Sequence, residues 1–158
     1  MDIYIIRAVG RGTTRLSAFD DALLRAGVAN FNLIHLSSVI PPGARIIRRK
    51  PPVTPADFGQ RLYCVYAAEW AFERNETAYA GLGWVIDAKD RKGLFIEQFG
   101  RSREKVQADI VVSLTEMMAR RDGFKRHRLP IHSEIAGGRC TGQPICALTL
   151  AYYQVERF

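Results

Sequence analysis

The chain is written as short apolar runs divided by turn residues, together with two stretches whose apolar positions recur every three or four residues. Residues 3–9 (IYIIRAV) are the first run and predict a strand. GRGTT then turns the chain, and Thr14 is the expected N-cap of a helix over residues 16–26 that Gly27 closes. Leu16, Phe19, Leu23 and Leu24 form the expected apolar stripe of that helix. Asp20 falls on the same stripe, one turn after Leu16, whereas Asp21 points elsewhere. An acid on a buried stripe wants a reason, unless it sits at the stripe's edge and reaches solvent or a backbone amide.

A second strand over residues 32–36 runs into Ser37 and Ser38, two hydroxyls where apolar side chains would be expected to continue through Val39 and Ile40. Pro41-Pro42-Gly43 breaks the chain just beyond, residues 44–48 resume as a strand, and residues 50–60 (KPPVTPADFGQ) read as a surface loop. Runs at 62–72, 77–86 and 93–99, joined by turns at 74–76 and 87–92, read as a three-stranded meander. Ser102 caps a second helix over 103–121, buried through Val106, Ile110, Leu114, Met117 and Met118 and ended by Asp122-Gly123. Strands at 131–136 and 144–155 complete an α+β pattern. Within GLFIEQF, residues 93–99, Glu97 stands among apolar neighbours, where a carboxyl group must be paired, protonated or at an edge. Alternation leaves each of these open, because Leu94, Ile96 and Gln98 share the opposite face.

Composition narrows the class. With 158 residues and 47% hydrophobic content the chain is expected to form a single domain over 1–158. Its longest apolar runs, 3–6 and 145–150, are too short to cross a bilayer, and the N-terminus does not read as a signal peptide, so a cytoplasmic protein without membrane contact is expected. Cys64, Cys140 and Cys146 are odd in number and lack CxxC spacing, which indicates neither a disulfide framework nor a zinc site. The net charge of +7 concentrates in residues 45–50 (RIIRRK) and 120–128 (RRDGFKRHR). Neither cluster interleaves stacking aromatics, so a solvated face is the favoured reading and nucleic acid is not the favoured partner.

LSAFDDALLRAGVANFNLIHLSSVIPPGARI, residues 16–46, closely resembles the N-terminal region of pyruvoyl-dependent arginine decarboxylases. It combines an AFDxALLxAG helix, an NxNLI strand, the serine pair and a PPG turn in one order, and GLFIEQFG followed by a helix is similar to that family's second motif. The resemblance extends over nearly the whole chain. It implies a four-layer αββα sandwich of mixed and antiparallel sheets, assembled as a homotrimer of processed protomers with active sites at the subunit interfaces.

The resemblance also implies a chemistry for the serine pair. The Ser38 hydroxyl attacks the carbonyl of Ser37, the resulting ester eliminates across Cα and Cβ of Ser38, and hydrolysis of the dehydroalanine leaves a covalent pyruvoyl group. The products are a β chain, residues 1–37, and an α chain, residues 38–158. The ketone takes up the substrate amine and serves as electron sink, converting L-arginine to agmatine and carbon dioxide with no metal. By the same resemblance Glu97 is the proton donor, Asp20 holds the guanidinium, Leu16 lines the side-chain pocket and Asn32 is a hydrogen-bond donor near the cleavage site. Arg15, His35 and the arginines of the C-terminal half depart from the pattern and bear on substrate preference. Polyamine biosynthesis, acid resistance and an antibiotic-related use are all open as pathways. The other readings are an unprocessed noncatalytic homologue, a decarboxylase of another amino acid, and a basic nucleic-acid-binding module.

Overall fold

The computed structural model describes residues 1–124 and 129–158; four residues of the second basic cluster therefore lie outside the described residues. Strand β1 (Asp2–Arg11) is followed by helix α1 (Arg15–Ala26) and by three short strands, β2 (Asn32–His35), β3 (Val39–Ile40) and β4 (Arg45–Ile47). Then come a 3-10 turn (Pro55–Asp57), β5 (Arg61–Ala71), β6 (Thr77–Ile86), β7 (Gly93–Gly100), α2 (Arg103–Ala119), β8 (His132–Arg139) and β9 (Ile145–Glu156). Thr14 caps α1 as expected, accepting from Ser17 N, and Gly27 ends it at φ 82°.

The strands form two sheets, of order β2-β5-β9-β1-β4 and β3-β7-β6-β8. Parallel pairs occur only in the first, between β1 and β4 and between β2 and β5, and the second is antiparallel throughout. Helix α1 packs on the outer face of the first sheet and α2 on that of the second, giving the αββα sandwich. Ile3, Ile5, Val65, Leu82 and Phe95 fill the layer between the sheets. β9 is central, and nine consecutive residues of it are buried, as expected of a strand covered on both faces. Within that run Thr149 ties the sheets together: Oγ1 donates to Ala80 O at 2.7 Å and accepts from Ala136 N at 3.1 Å.

The expected stripe of α1 is corrected by the structure. The helix is buried through Ala18, Ala22, Leu23 and Ala26, while Leu16 is 75% exposed, Leu24 is exposed and Asp20 faces out. Gly10 supplies the reason. A Cβ at that position would lie 2.2 Å from Ala22 N and 2.3 Å from Ala18 O, so the helix backbone rests directly on β1 and only small side chains fit beneath it. The meander is also corrected, because β5 joins the first sheet along the full length of β9 and only β6 and β7 form a hairpin in the second. Pairing between distant segments here overrides sequence adjacency, since β5 must bury Val65 and Ala67 between the sheets while Leu62 and Cys64 meet the layer under α1. On α2 the fully buried residues are Val106, Ile110 and Leu114, with Met117 and Met118 half-buried beside them. All three cysteines are free and buried. Among the described residues no helix is long and apolar enough to cross a membrane.

Candidate active site

β2 is the edge of one sheet and β3 the edge of the other, so the segment between them, Leu36-Ser37-Ser38, is where the chain crosses from sheet to sheet. It is anchored at both ends: Leu36 N donates to Cys64 O at 2.9 Å, continuing the β2–β5 ladder, and Phe95 N donates to Ser38 O at 2.8 Å, opening the β3–β7 ladder. The crossing forces Ser38 to φ 65°, a left-handed conformation that costs an L-residue about 1–2 kcal/mol. Ser37 is exposed and Ser38 half-buried. The strained residue is therefore the second serine of the pair, and the anchors hold its carbonyl side and the preceding leucine in place.

Alternation along β7 turns Glu97 to the same face as Phe95, the layer between the sheets. There the Ser38 hydroxyl donates to Glu97 Oε1 at 2.5 Å. His35 Nε2 lies 3.5 Å from the same oxygen, and its ring stacks on Tyr66 with centroids 4.8 Å apart and planes 25° apart. Tyr153, buried against Phe95, donates its hydroxyl to Val39 O at 3.1 Å, one residue past Ser38. Burial pushes the Tyr153 phenol up, with the negative charge of Glu97 adding to the shift, so Tyr153 keeps its proton. The open question about Glu97 is thereby answered: it is paired, at an edge of the inter-sheet layer. A carboxylate on a serine hydroxyl, beside a strained residue, can take the hydroxyl proton as the oxygen attacks a carbonyl.

Of the residues singled out in the sequence, Ser37, Ser38 and Glu97 come together, and three others do not join them within one chain. Asn32 stands at the far end of β2, where its Nδ2 donates to Gly59 O at 2.6 Å. Six residues separate it from Ser38, at most about 20 Å at ~3.3 Å per residue, so the two do not meet within one chain. Leu16 and Asp20 lie on the outward face of α1. The acid of α1 that works inside the protomer is Asp21, which accepts from Arg25 Nε and from Arg11 N, each at 2.7 Å; the Arg25 contact first, then the Arg11 amide, hold its carboxyl below the ordinary range. Arg15 is laid over the Trp70 ring at 3.7 Å. Tyr66 and Tyr153 were not legible as site residues. The available signal was that a tyrosine inside an apolar strand must find a partner for its hydroxyl. Among the described residues no group of three or more His, Cys, Asp or Glu side chains could hold a metal ion.

Fold and site together define a class: an αββα sandwich with a serine–carboxylate pair at the edge where its two sheets are joined. The chain belongs to the pyruvoyl-dependent arginine decarboxylase family, whose model matches residues 2–153. It is 33% identical over 120 residues, 74% of its length, to a pyruvoyl-dependent arginine decarboxylase of Thermoplasma volcanium, and 36% identical over 121 residues, 77% of its length, to one of Pyrococcus horikoshii. A relative of the same description in Picrophilus torridus is 33% identical over 96 residues, 60% of the chain. The chain spans 65% of the Thermoplasma relative, 53% of the Picrophilus relative and 72% of the Pyrococcus relative.

Proposed function

We propose that this chain, a single domain over residues 1–158, cleaves itself between Ser37 and Ser38 and then decarboxylates L-arginine to agmatine. The observation that carries the reading is the Ser38 hydroxyl bound to Glu97 Oε1 at 2.5 Å on a residue held at φ 65°. Glu97 accepts the hydroxyl proton as Oγ attacks the Ser37 carbonyl carbon and passes it to the departing nitrogen, so the peptide C–N bond breaks as the ester forms and Ser38 is left with a free amine. Loss of the Cα proton then expels Ser37 as a carboxylate and leaves dehydroalanine, whose hydrolysis releases ammonia. Ser38 at this strained crossing fits the pyruvoyl group after which the family is named, since only a residue whose nucleophile also departs from Cβ can make one. The fragments 1–37 and 38–158 stay together, because β1, in the first fragment, pairs with β9 and β4 of the second, and β2 with β5.

When formed, the pyruvoyl group supplies the electron sink for loss of carbon dioxide. Glu97, relieved of the hydroxyl, delivers the proton to the substrate's Cα. Asp20 and Leu16 take the guanidinium and the aliphatic stem of arginine. Since they and Asn32 lie away from Ser38 within one chain, the reading assigns them to a neighbour's site, in a homotrimer with active sites between subunits. Exposed Ile34, Val39 and Phe99 along the open β2–β3–β7 side support this, being apolar surface for such a contact to cover. Three free cysteines accord with a reducing cytoplasm.

The test is mass spectrometry of the purified chain followed by carbon dioxide release from a panel of amino acids. Two fragments, 1–37 and 38–158, and release greatest from arginine are expected, with Ser38→Ala remaining at 17.8 kDa and inactive. Wild-type protein that stays at 17.8 kDa and releases nothing would refute the enzyme and leave an unprocessed homologue. Release from a different amino acid would refute the substrate alone.

A further inference from the structure

Every decarboxylation of this kind consumes a proton, since the lost carboxylate is replaced by hydrogen at Cα. On the reading proposed above, on which this inference rests, Glu97 gives up that proton and must recover one from water in each cycle. Its side chain is 25% exposed and lies at the edge of the inter-sheet layer. Three groups from the surrounding elements face it: Tyr153 from β9, the Ser38 hydroxyl, and His35 from β2, with Tyr66 from β5 behind the histidine ring. Tyr153 is only 6% exposed, and its hydroxyl proton is engaged with Val39 O. The Ser38 hydroxyl is consumed when the chain is cleaved. His35 alone of the three both approaches the carboxylate and reaches the surface of the protomer, at the inter-subunit site that substrate and water must enter: its side chain is 50% exposed in one chain, and its Nε2 is 3.5 Å from Oε1.

We infer that His35 is a positioning residue for the decarboxylation, restoring the proton of Glu97 between turnovers. Tyr66 holds the imidazole plane by stacking, so one ring nitrogen stays aimed at the carboxylate. The pair closes from 3.5 Å to hydrogen-bonding distance, about 2.9 Å, by a small shift of the ring. The Nε2–H bond of the imidazolium breaks as Oε1–H forms on the carboxylate, leaving neutral imidazole, and the ring then takes a proton from hydronium in the surrounding water, so no other reactant is needed. Imidazole suits the task because it is the side chain that exchanges protons with water near neutral pH in both directions. The histidine also stays in place after cleavage: it lies on the 1–37 fragment, but its strand remains paired with β5, His35 opposite Cys64.

The test compares wild type, His35→Gln and His35→Ala, all confirmed as cleaved by mass, for carbon dioxide release at saturating arginine between pH 5 and 8. Wild-type kcat is expected to fall as pH rises across this window. In His35→Gln kcat should be about tenfold lower or more at the acidic end and flat with pH, with KM for arginine changed less than about twofold. Added imidazole should restore His35→Ala in a saturable manner and leave His35→Gln, whose site is filled, unaffected. A His35→Gln profile that superimposes on wild type, or a His35→Ala loss indifferent to imidazole, overturns the role of His35 and leaves the decarboxylase standing. Wild-type protein that neither cleaves nor releases carbon dioxide overturns both.

Discussion

Glu97→Gln separates the two tasks assigned to one carboxylate. The substitution keeps the volume of the side chain and leaves an oxygen able to accept from the Ser38 hydroxyl at 2.5 Å, but it removes the charge and the exchangeable proton. A charge-assisted hydrogen bond is about twice as strong as a neutral one, so the hold on Ser38 weakens by about 1 kcal/mol, and because the amide cannot take the hydroxyl proton, self-cleavage slows by about 10²–10⁴. Self-cleavage happens once per chain, and the anchors at Leu36 and Ser38 that maintain the strain do not involve Glu97, so a slower reaction still runs to completion on incubation. Turnover has no such allowance. General acid catalysis contributes about 10²–10⁴ in rate, which corresponds to about 3–5 kcal/mol of barrier, and kcat should fall by that factor in protein that mass spectrometry shows to be fully cleaved. Arginine should still bind, because its recognition is assigned to other residues. A fully cleaved Glu97→Gln protein with kcat within tenfold of wild type would refute the assignment of the proton donor.

Other substitutions test other parts of the molecule. Asp20→Asn should raise KM for arginine by about tenfold with little effect on cleavage, since one partner of a charge-assisted fork is neutralised; unchanged selectivity against ornithine and lysine would count against the contact. Thr149→Val preserves shape but strands Ala80 O and Ala136 N between the sheets, and should lower stability by about 2–4 kcal/mol in urea unfolding, where a loss below about 0.5 kcal/mol would contradict the tie. Asp21→Asn should cost about 1 kcal/mol at neutral pH through its bonds to Arg25 and Arg11 N. Because the folded-state pKa of Asp21 is depressed, its contribution is present above the unfolded value of about 3.9 and disappears as pH falls through the folded one. The melting temperatures of the two proteins should therefore converge in acid, and a pH-independent gap would show that the carboxylate is not the source.

Features settled within a few residues were legible without coordinates. Thr14 and Gly27 bound the first helix by local hydrogen bonds and a left-handed turn, and Ser102 caps the second in the same way. The serine pair between an apolar strand and Pro41-Pro42-Gly43 is likewise local, as is the anomaly of an acid inside GLFIEQF. What depends on segments far apart was not legible. The direction in which α1 faces follows from the close approach of its backbone to Gly10, and this set Asp20 and Leu16 outward although their spacing suggested a buried stripe. Along its full length β5 pairs with β9, about eighty residues away, because two layers had to be served by one strand. The proximity of Ser38, Glu97, His35 and Tyr153 arises only when an edge strand of each sheet is brought together. By itself the sequence determined the chemical groups and the local turns that carry them. The tertiary structure alone decided which groups meet, because strand pairing and layer packing join residues that have no local means of specifying one another.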